Sequence, residues 1–390
     1  MSKRYQGGIL GAGFNPLQAP NAPTAVAASG SNASASVSFT APANVGGSAI
    51  TGYTAQSNPG GFGGAAASSP VTVSGLSNGT AYTFGVFALN SYGPSPISAF
   101  SNSVTPSADG TFGIFALGNS TTTRNKYTYS GCVVSAGTAS TANSQYGSAA
   151  GDSSKGIFAL GGTPSSSTTR DKYTYAGCVV SAGTAASTAS QQGSATGNST
   201  VGIFALGLTT VRVTTRDKYT YSGDVVSAGG AATAPSRTGS AAGNSTVGIF
   251  ALGCVCGTRS STRNKYTYSG DVVSAGTAAT SASTCGSATG NSTVGIFALG
   301  FTFAAVATRD KYTYSGCVVT TGGAATTASG VGSAAGNSTV GIFALGATPS
   351  ATAARDKYTY SGCVVAAGTA ATAASPYGSA ASNGVLGVTT

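Results

Sequence analysis

The sequence predicts an all-β protein, and three observations carry that prediction. Gly, Ala, Ser and Thr dominate while only 7% of residues are charged, a bias towards short strands and tight turns. Stretches such as SASVSFTAP alternate, with Val37 and Phe39 set against Ser36 and Ser38, which is the period of a half-buried strand. The phrase GIFALG recurs six times, from Gly113, Gly156, Gly202, Gly248, Gly295 and Gly341, so most of the chain repeats one strand-bearing unit.

Composition also narrows function. The 390 residues, 41% of them apolar, suffice for two or three packed domains. All eight acidic residues are aspartates and there is no histidine, so the usual general acids, bases and imidazole ligands are missing. A non-enzymatic protein with no cofactor is expected. Net charge is +10, yet twelve of the eighteen basic residues lie in one repeated tripeptide, Arg-Asp-Lys or Arg-Asn-Lys. Nucleic acid is therefore not an expected partner, because that binding asks for clustered Lys and Arg with stacking aromatics.

The opening MSKRYQGGILGAGFNPLQAP carries a basic pair, but glycines break its apolar run and no small-residue cleavage site follows. It reads as neither signal peptide nor membrane span, and no later stretch approaches 18 apolar residues, so no membrane span and synthesis in the cytoplasm are expected. Four of the seven cysteines, Cys132, Cys178, Cys317 and Cys363, occupy one repeat position that Asp224 and Asp271 fill in the other copies. Exchange with Asp points to free thiols. Cys254, Cys256 and Cys285 cluster in copy four without a histidine or fourth thiol, so a local disulfide or free thiols are expected there rather than a metal.

From residue 20 to residue 107 the text reads as strands between Pro/Gly turns: TAVAAS, SASVSFTAP, ITGYTAQS, SSPVTVSGL, AYTFGVFALN and ISAFSNSVTP. Pro23, the stretch SGLSNGTAYTFGVFALNSYGPSPIS and the closing SNSVTP resemble a fibronectin type III domain. The resemblance implies a β-sandwich with Tyr82 at the tyrosine corner, Leu76 before it and Asn90 and Gly93 after it. The tryptophan common on the second strand of that family is replaced by Phe39. A rigid connector is the expected role, and residues 1–19 form a separate N-terminal peptide.

Residues 108–390 hold the repeats. The lysine of KYTY falls at 126, 172, 218, 265, 311 and 357, and a period in the mid-forties with strand-like text matches a propeller blade of four strands. Each copy divides into GSAAG, VGIFALG, RDKYTYSG and CVVSAGTA, with GNST as a turn. Continuous apolar text in GIFALG implies an inner strand covered on both faces. Copy one lacks its GSAAG strand, and Gly378 to Asn383 are expected to supply it, closing a six-bladed ring and removing an exposed edge. The pattern resembles kelch-type propellers, although five copies have a single Gly after the apolar strand and Trp is absent. The expected fold is thus a fibronectin type III-like β-sandwich followed by a six-bladed kelch-like β-propeller.

The six copies differ in two places, between strands two and three and between strand four and the next blade. In an up-and-down blade both segments reach the same rim, where recognition is usually built. Tyr146, Val211, Arg212, Arg237, Arg259, Phe301, Phe303 and Tyr377 are the expected binding residues on that rim. Arg124, Arg170, Arg216, Arg263, Arg309 and Arg355 begin strand three near the same rim. They are expected to pair with Asp of a neighbouring blade, with a ring of cations for an anionic glycan or phosphate as the alternative.

The repeats also resemble those of tailed-bacteriophage virion structural proteins, which open with a short GGIL-type peptide and continue into sandwich modules or repeats of this kind. The resemblance implies a fibre, spike or surface appendage, exposed on the capsid, neck or tail. Tyr5, Gly7, Gly8, Ile9, Leu10 and Phe14 would anchor it to other virion proteins, and homo-oligomerisation on the particle is expected. A host-surface glycan or protein is the expected partner of the propeller. A bacterial surface adhesin and a glycan-degrading propeller enzyme are the alternatives, and the second would need a carboxylate pair that repeat-equivalent aspartates do not form.

Overall fold

The computed structural model describes residues 18–31, 33–77, 80–106, 112–129, 131–162, 165–347 and 350–382. The proposed anchor residues Tyr5, Gly7, Gly8, Ile9, Leu10 and Phe14, and also Asn383, lie outside the described residues. The chain is all-β and divides into two compact units, one ending at Ala108 and the other starting at Asp109. No helix among the described residues is long and apolar enough to cross a membrane.

The first unit contains β1 (Thr24–Ser31), β2 (Ser34–Thr40), β3 (Gly52–Asn58), β4 (Gly63–Ala66), β5 (Val71–Ser74), β6 (Thr83–Asn90) and β7 (Gly93–Pro94). Two sheets form, ordered β1-β2-β5 and β4-β3-β6-β7. Alternation sends Val37 and Phe39 from β2, Tyr53 and Ala55 from β3, and Phe84, Val86 and Ala88 from β6 into one core. Phe39 meets Tyr53 with ring centroids 4.7 Å apart, filling space that a larger ring would otherwise take. The Tyr82 hydroxyl accepts a hydrogen bond from the Ser77 amide at 3.2 Å.

Two details differ from the sequence expectation. Strand β4 reads GGAA and carries no apolar signal. The expected strand through ISAFSNSVTP is irregular, because Ser95, Ser98 and Ser101 advance by three residues against every second residue of β6. Their amides donate to the carbonyls of Ala88, Val86 and Phe84, and their hydroxyl oxygens accept from the amides of the same three residues. The side chains thereby replace the backbone acceptors of a regular ladder.

Among the described residues, the second unit contains six four-stranded antiparallel sheets and one small three-stranded sheet. The second sheet is typical: Ser148–Gly151, Lys155–Ala159, Arg170–Thr174 and Val179–Ala182, in that order from its inner to its outer strand. In the first sheet the inner strand is Ser379–Ser382, paired with Phe112–Ala116 from Ser379 opposite Ala116 to Ser382 opposite Gly113. The inner strands touch in succession, from Ser148–Gly151 through Ser194–Gly197, Ser240–Gly243, Ser287–Gly290 and Ser333–Gly336 to Ser379–Ser382. The last of these lies against the first.

Close approach of these strands accounts for the small residues. A Cβ on the first glycine of GIFALG would stand 2.6–2.9 Å from a tyrosine hydroxyl of its own sheet and 2.5–3.2 Å from an Ala or Thr of an adjacent sheet's inner strand. The last glycine of the phrase has φ of 68–72°, a region that favours glycine.

The arginines that open each third strand join one sheet to the next. Arg124, Arg170, Arg263 and Arg309 donate to Asp171, Asp217, Asp310 and Asp356 at 2.8–2.9 Å. Arg216 and Arg355 instead meet Asn264 and Asn125 at 3.1 and 3.3 Å. All six guanidinium groups also lie 4.4–4.7 Å above the Phe of the next sheet's GIFALG phrase, a favourable cation–π geometry. These arginines are at most 2% exposed. The alternative that makes Arg124, Arg170, Arg216, Arg263, Arg309 and Arg355 a cationic ring for a glycan or phosphate is therefore corrected: they are buried between sheets and already engaged.

Burial lowers the pKa of all six, and Arg216 and Arg355, which have no carboxylate partner among the described residues, fall to about 10. A buried charge facing a neutral amide is the weakest of these joints. At the equivalent position of the second sheet, Asp171 also receives the amide and hydroxyl of Thr141, and Thr233 stands ready to do the same at position 264. Asn264→Asp is accordingly expected to stabilise the protein by about 1–2 kcal/mol near neutral pH. Chemical unfolding checks this; a lower midpoint would show that desolvating the new carboxylate outweighs the pair.

Each KYTY motif buries both tyrosines, and burial raises the pKa of all twelve hydroxyls, Tyr219 to about 12. Since their folded pKa exceeds the unfolded value of 10, their contribution is complete below pH 10 and is lost as pH climbs through the folded value. The six lowered arginines act in the opposite sense above pH 10, but they are outnumbered two to one. Stability should therefore fall above pH 10, with tyrosinate absorbance from these residues rising together with loss of β-sheet circular dichroism. Titration of all eighteen tyrosines near pH 10 in an intact fold would contradict this.

Candidate functional site

The residue just before each inner strand's Gly-Ser pair varies among the copies: Tyr146, Gln192, Thr238, Cys285, Val331 and Tyr377. All six have φ of 53–59°, which is costly for Val and Thr. They are held by a cycle of backbone hydrogen bonds. The amide of Gln192 donates to Tyr146, Thr238 to Gln192, Cys285 to Thr238, Val331 to Cys285, Tyr377 to Val331 and Tyr146 to Tyr377, at 2.7–2.9 Å. The last glycine of GIFALG makes room for this hexad, since a Cβ there would strike the hexad's carbonyl groups; at Gly253 it would lie 2.5 Å from the Thr238 oxygen.

A cavity of about 750 Å³ opens over the hexad. It collects six of the eight expected rim residues: Tyr146, Arg237, Arg259, Phe301, Phe303 and Tyr377. Tyr146 and Tyr377 meet with centroids 4.3 Å apart, and burial followed by the neighbouring Tyr377 raises the Tyr146 pKa. Arg237 donates to the Gln192 side chain at 3.2 Å. Arg259 lies 5.3 Å from the ring of Phe303, which is 94% exposed. Phe301 is fixed by a reciprocal backbone pair with Thr284.

Val211 and Arg212 are not among the cavity residues. Their loop closes on itself instead, with the Thr209 amide donating to Val211 and Leu208 bridging Arg212. Gln192, Thr238 and Val331, which are not among the expected rim residues, also line the cavity, as does Cys285, expected only as a disulfide or free thiol. The available signal was positional: they occupy the same repeat position as Tyr146 and Tyr377.

All seven cysteines are free thiols, so of the two expectations for Cys254, Cys256 and Cys285 the local disulfide is not formed. Among the described residues no three His, Cys, Asp or Glu side chains gather into a metal-binding group. Burial pushes the Cys285 thiol up, against the hydrogen bonds of Thr284 and Thr238 and the charge of Arg237. Elsewhere the exchange of Cys for Asp has a direct physical reason. The lysine of one sheet reaches the next sheet's residue at this position: Lys218 meets Asp271 at 2.8 Å, and Lys126, Lys265 and Lys357 meet Cys178, Cys317 and Cys132 at 3.6–3.9 Å. The position itself has φ of 50–55° in all six copies.

Residues 19–104 match the family model described as the fibronectin type III domain. Among solved structures, a crystal structure of consecutive titin domains aligns at 30% identity with a TM-score of 0.22, covering 23% of this chain and 32% of that one. The kinase region of twitchin from C. elegans aligns at 25% identity with a TM-score of 0.21, covering 23% of this chain and 17% of that one. The chain therefore spans about a third or less of the length of these structures. No curated protein matches it. Over residues 19–104, the chain carries a fibronectin type III domain.

Proposed function

We propose that the second unit is a closed six-bladed β-propeller of kelch-like build, and that the chain is a non-enzymatic structural protein of a tailed-phage particle. In this reading residues 1–19 anchor it to other virion proteins, the fibronectin type III domain connects, and the propeller adheres to a host surface or to neighbouring virion proteins.

The observation that carries an adhesive role is the division of labour within the repeat. Constant residues are consumed by contacts between sheets, whereas all six variable hexad residues and the variable loops of the fourth and fifth copies border one cavity. Closure is supported by three successions that return to their start: the inner strands, the arginine joints and the hexad of backbone bonds. A non-catalytic role is supported by the fate of the described aspartates. Four hold arginines, two hold lysines, and Asp152 accepts from the Ser154 and Lys155 amides of its own turn. The phage assignment is supported by the resemblance of the repeats alone.

Mass spectrometry of gradient-purified phage particles, with electron microscopy of antibody-labelled particles, tests the assignment. The chain should co-purify at a fixed copy number and label an external feature. Its recovery only from cell envelopes would favour the bacterial adhesin instead.

A further inference from the structure

We propose that the cavity over the hexad binds an acidic saccharide, with Arg237 and Arg259 on its carboxylate or sulfate and Phe303 against a sugar ring. The inference rests on reading this face as the recognition face, though not on the particle to which the chain belongs.

The cationic centre is built by strand register. Ser236–Arg237, Cys254–Val255 and Thr258–Arg259 form a small three-stranded sheet in which Arg237 pairs with Cys254 and Cys254 with Arg259. Directly paired residues of antiparallel strands project to the same face. The two arginine side chains thus leave this small sheet on the same face, on either side of Cys254 and about 10 Å apart at the backbone, two strand spacings. No described carboxylate pairs with either, because the described aspartates are committed to other partners. Arg237 has a neutral amide acceptor and Arg259 an aromatic ring, so both retain their capacity for an anion.

The walls specify the rest of the ligand. Phe303 stands almost wholly exposed at the cavity's edge, an apolar surface that gains by being covered. Thr238, Thr258 and Thr284 also line the cavity; the hydroxyls of Thr238 and Thr284 bond to each other and that of Thr258 donates to the Val255 carbonyl, and their oxygens keep capacity to accept from a ligand hydroxyl. A pyranose presents apolar C–H faces and a rim of hydroxyls, and an acidic one adds the anion; this combination matches the walls. The volume lies in the range of small-ligand sites, about 300–1,000 Å³. No lysine lines the cavity, which disfavours the extended phosphate tracking of nucleic acid.

The test is binding of the full chain to immobilised oligogalacturonate, sialyl-lactose and sulfated galactan, with oligogalactose, lactose and an oligo-aspartate peptide as comparators. At least one acidic saccharide should bind about tenfold more tightly than its neutral counterpart, and raising salt should weaken it. The double substitution Arg237→Ala with Arg259→Ala, and separately Phe303→Ala, should each reduce that binding about tenfold or more, while Arg212→Ala leaves it unchanged. Equal melting temperatures would show that these loop variants fold. Absence of acidic-saccharide binding, equal binding of neutral sugars, tighter binding of the peptide, or full binding by the double variant would overturn the proposal. Saccharide binding by a chain absent from phage particles would instead overturn the particle assignment alone.

Discussion

The buried joint between an arginine and the sheet that follows it constrains the rest of the second unit. A guanidinium group removed from water needs a charge or dipole on one side and a surface that tolerates it on the others. Here an Asp or Asn receives its donors while the Phe of GIFALG covers its face. Both partners come from the next sheet, so each copy is completed only by its neighbour. The requirement passes from copy to copy and ends where Arg355 reaches Asn125.

Once the sheets are joined, the sameness of the copies follows. The first glycine of GIFALG lets inner strands approach, its Phe covers an arginine, and its last glycine clears the carbonyls of the hexad. The two tyrosines of KYTY fill the wedge between sheets, and its lysine reaches the Cys or Asp of the next copy. Few residues are left free to vary. Those that are lie at the hexad position and in the loops around it; the hexad and the loops of the fourth and fifth copies border the cavity, whereas the loop of Val211 and Arg212 folds back on itself.

Much of this was legible in the sequence, because strand length and burial on both faces are set by local pattern, although the innermost strand of each sheet is the GSAAG strand rather than GIFALG. GIFALG reads as a strand covered on both faces, RDKYTY as an alternating one, and their observed bounds follow. The cross-sheet partners were harder to read: Lys126 and Cys178 are separated by more than one repeat, so no short motif contains both. The hexad gave still less signal. Val331 and Thr238 adopt φ near 54°, which their own propensities oppose, and only the cycle of hydrogen bonds holds them there. Tyr146 and Tyr377 stand out as aromatic residues and Cys285 as a thiol, whereas Gln192, Thr238 and Val331 carry no local signal of a shared position. Val211 and Arg212 were misplaced because a loop that folds back on itself is indistinguishable in sequence from one that reaches over the cavity.

The central proposal is that the six sheets form a closed cycle, in which the two ends of the repeat array are joined by the same backbone bond that joins the other copies. Hydrogen exchange of the hexad amides tests it most directly, because one amide, that of Tyr146, spans the junction between the two ends of the repeat array. The account predicts that Tyr146 is protected as strongly as Gln192, Thr238, Cys285, Val331 and Tyr377, and that protection of all six is lost in one cooperative step. Rapid exchange at Tyr146 with protection kept at the other five would mean an open array and would contradict the account.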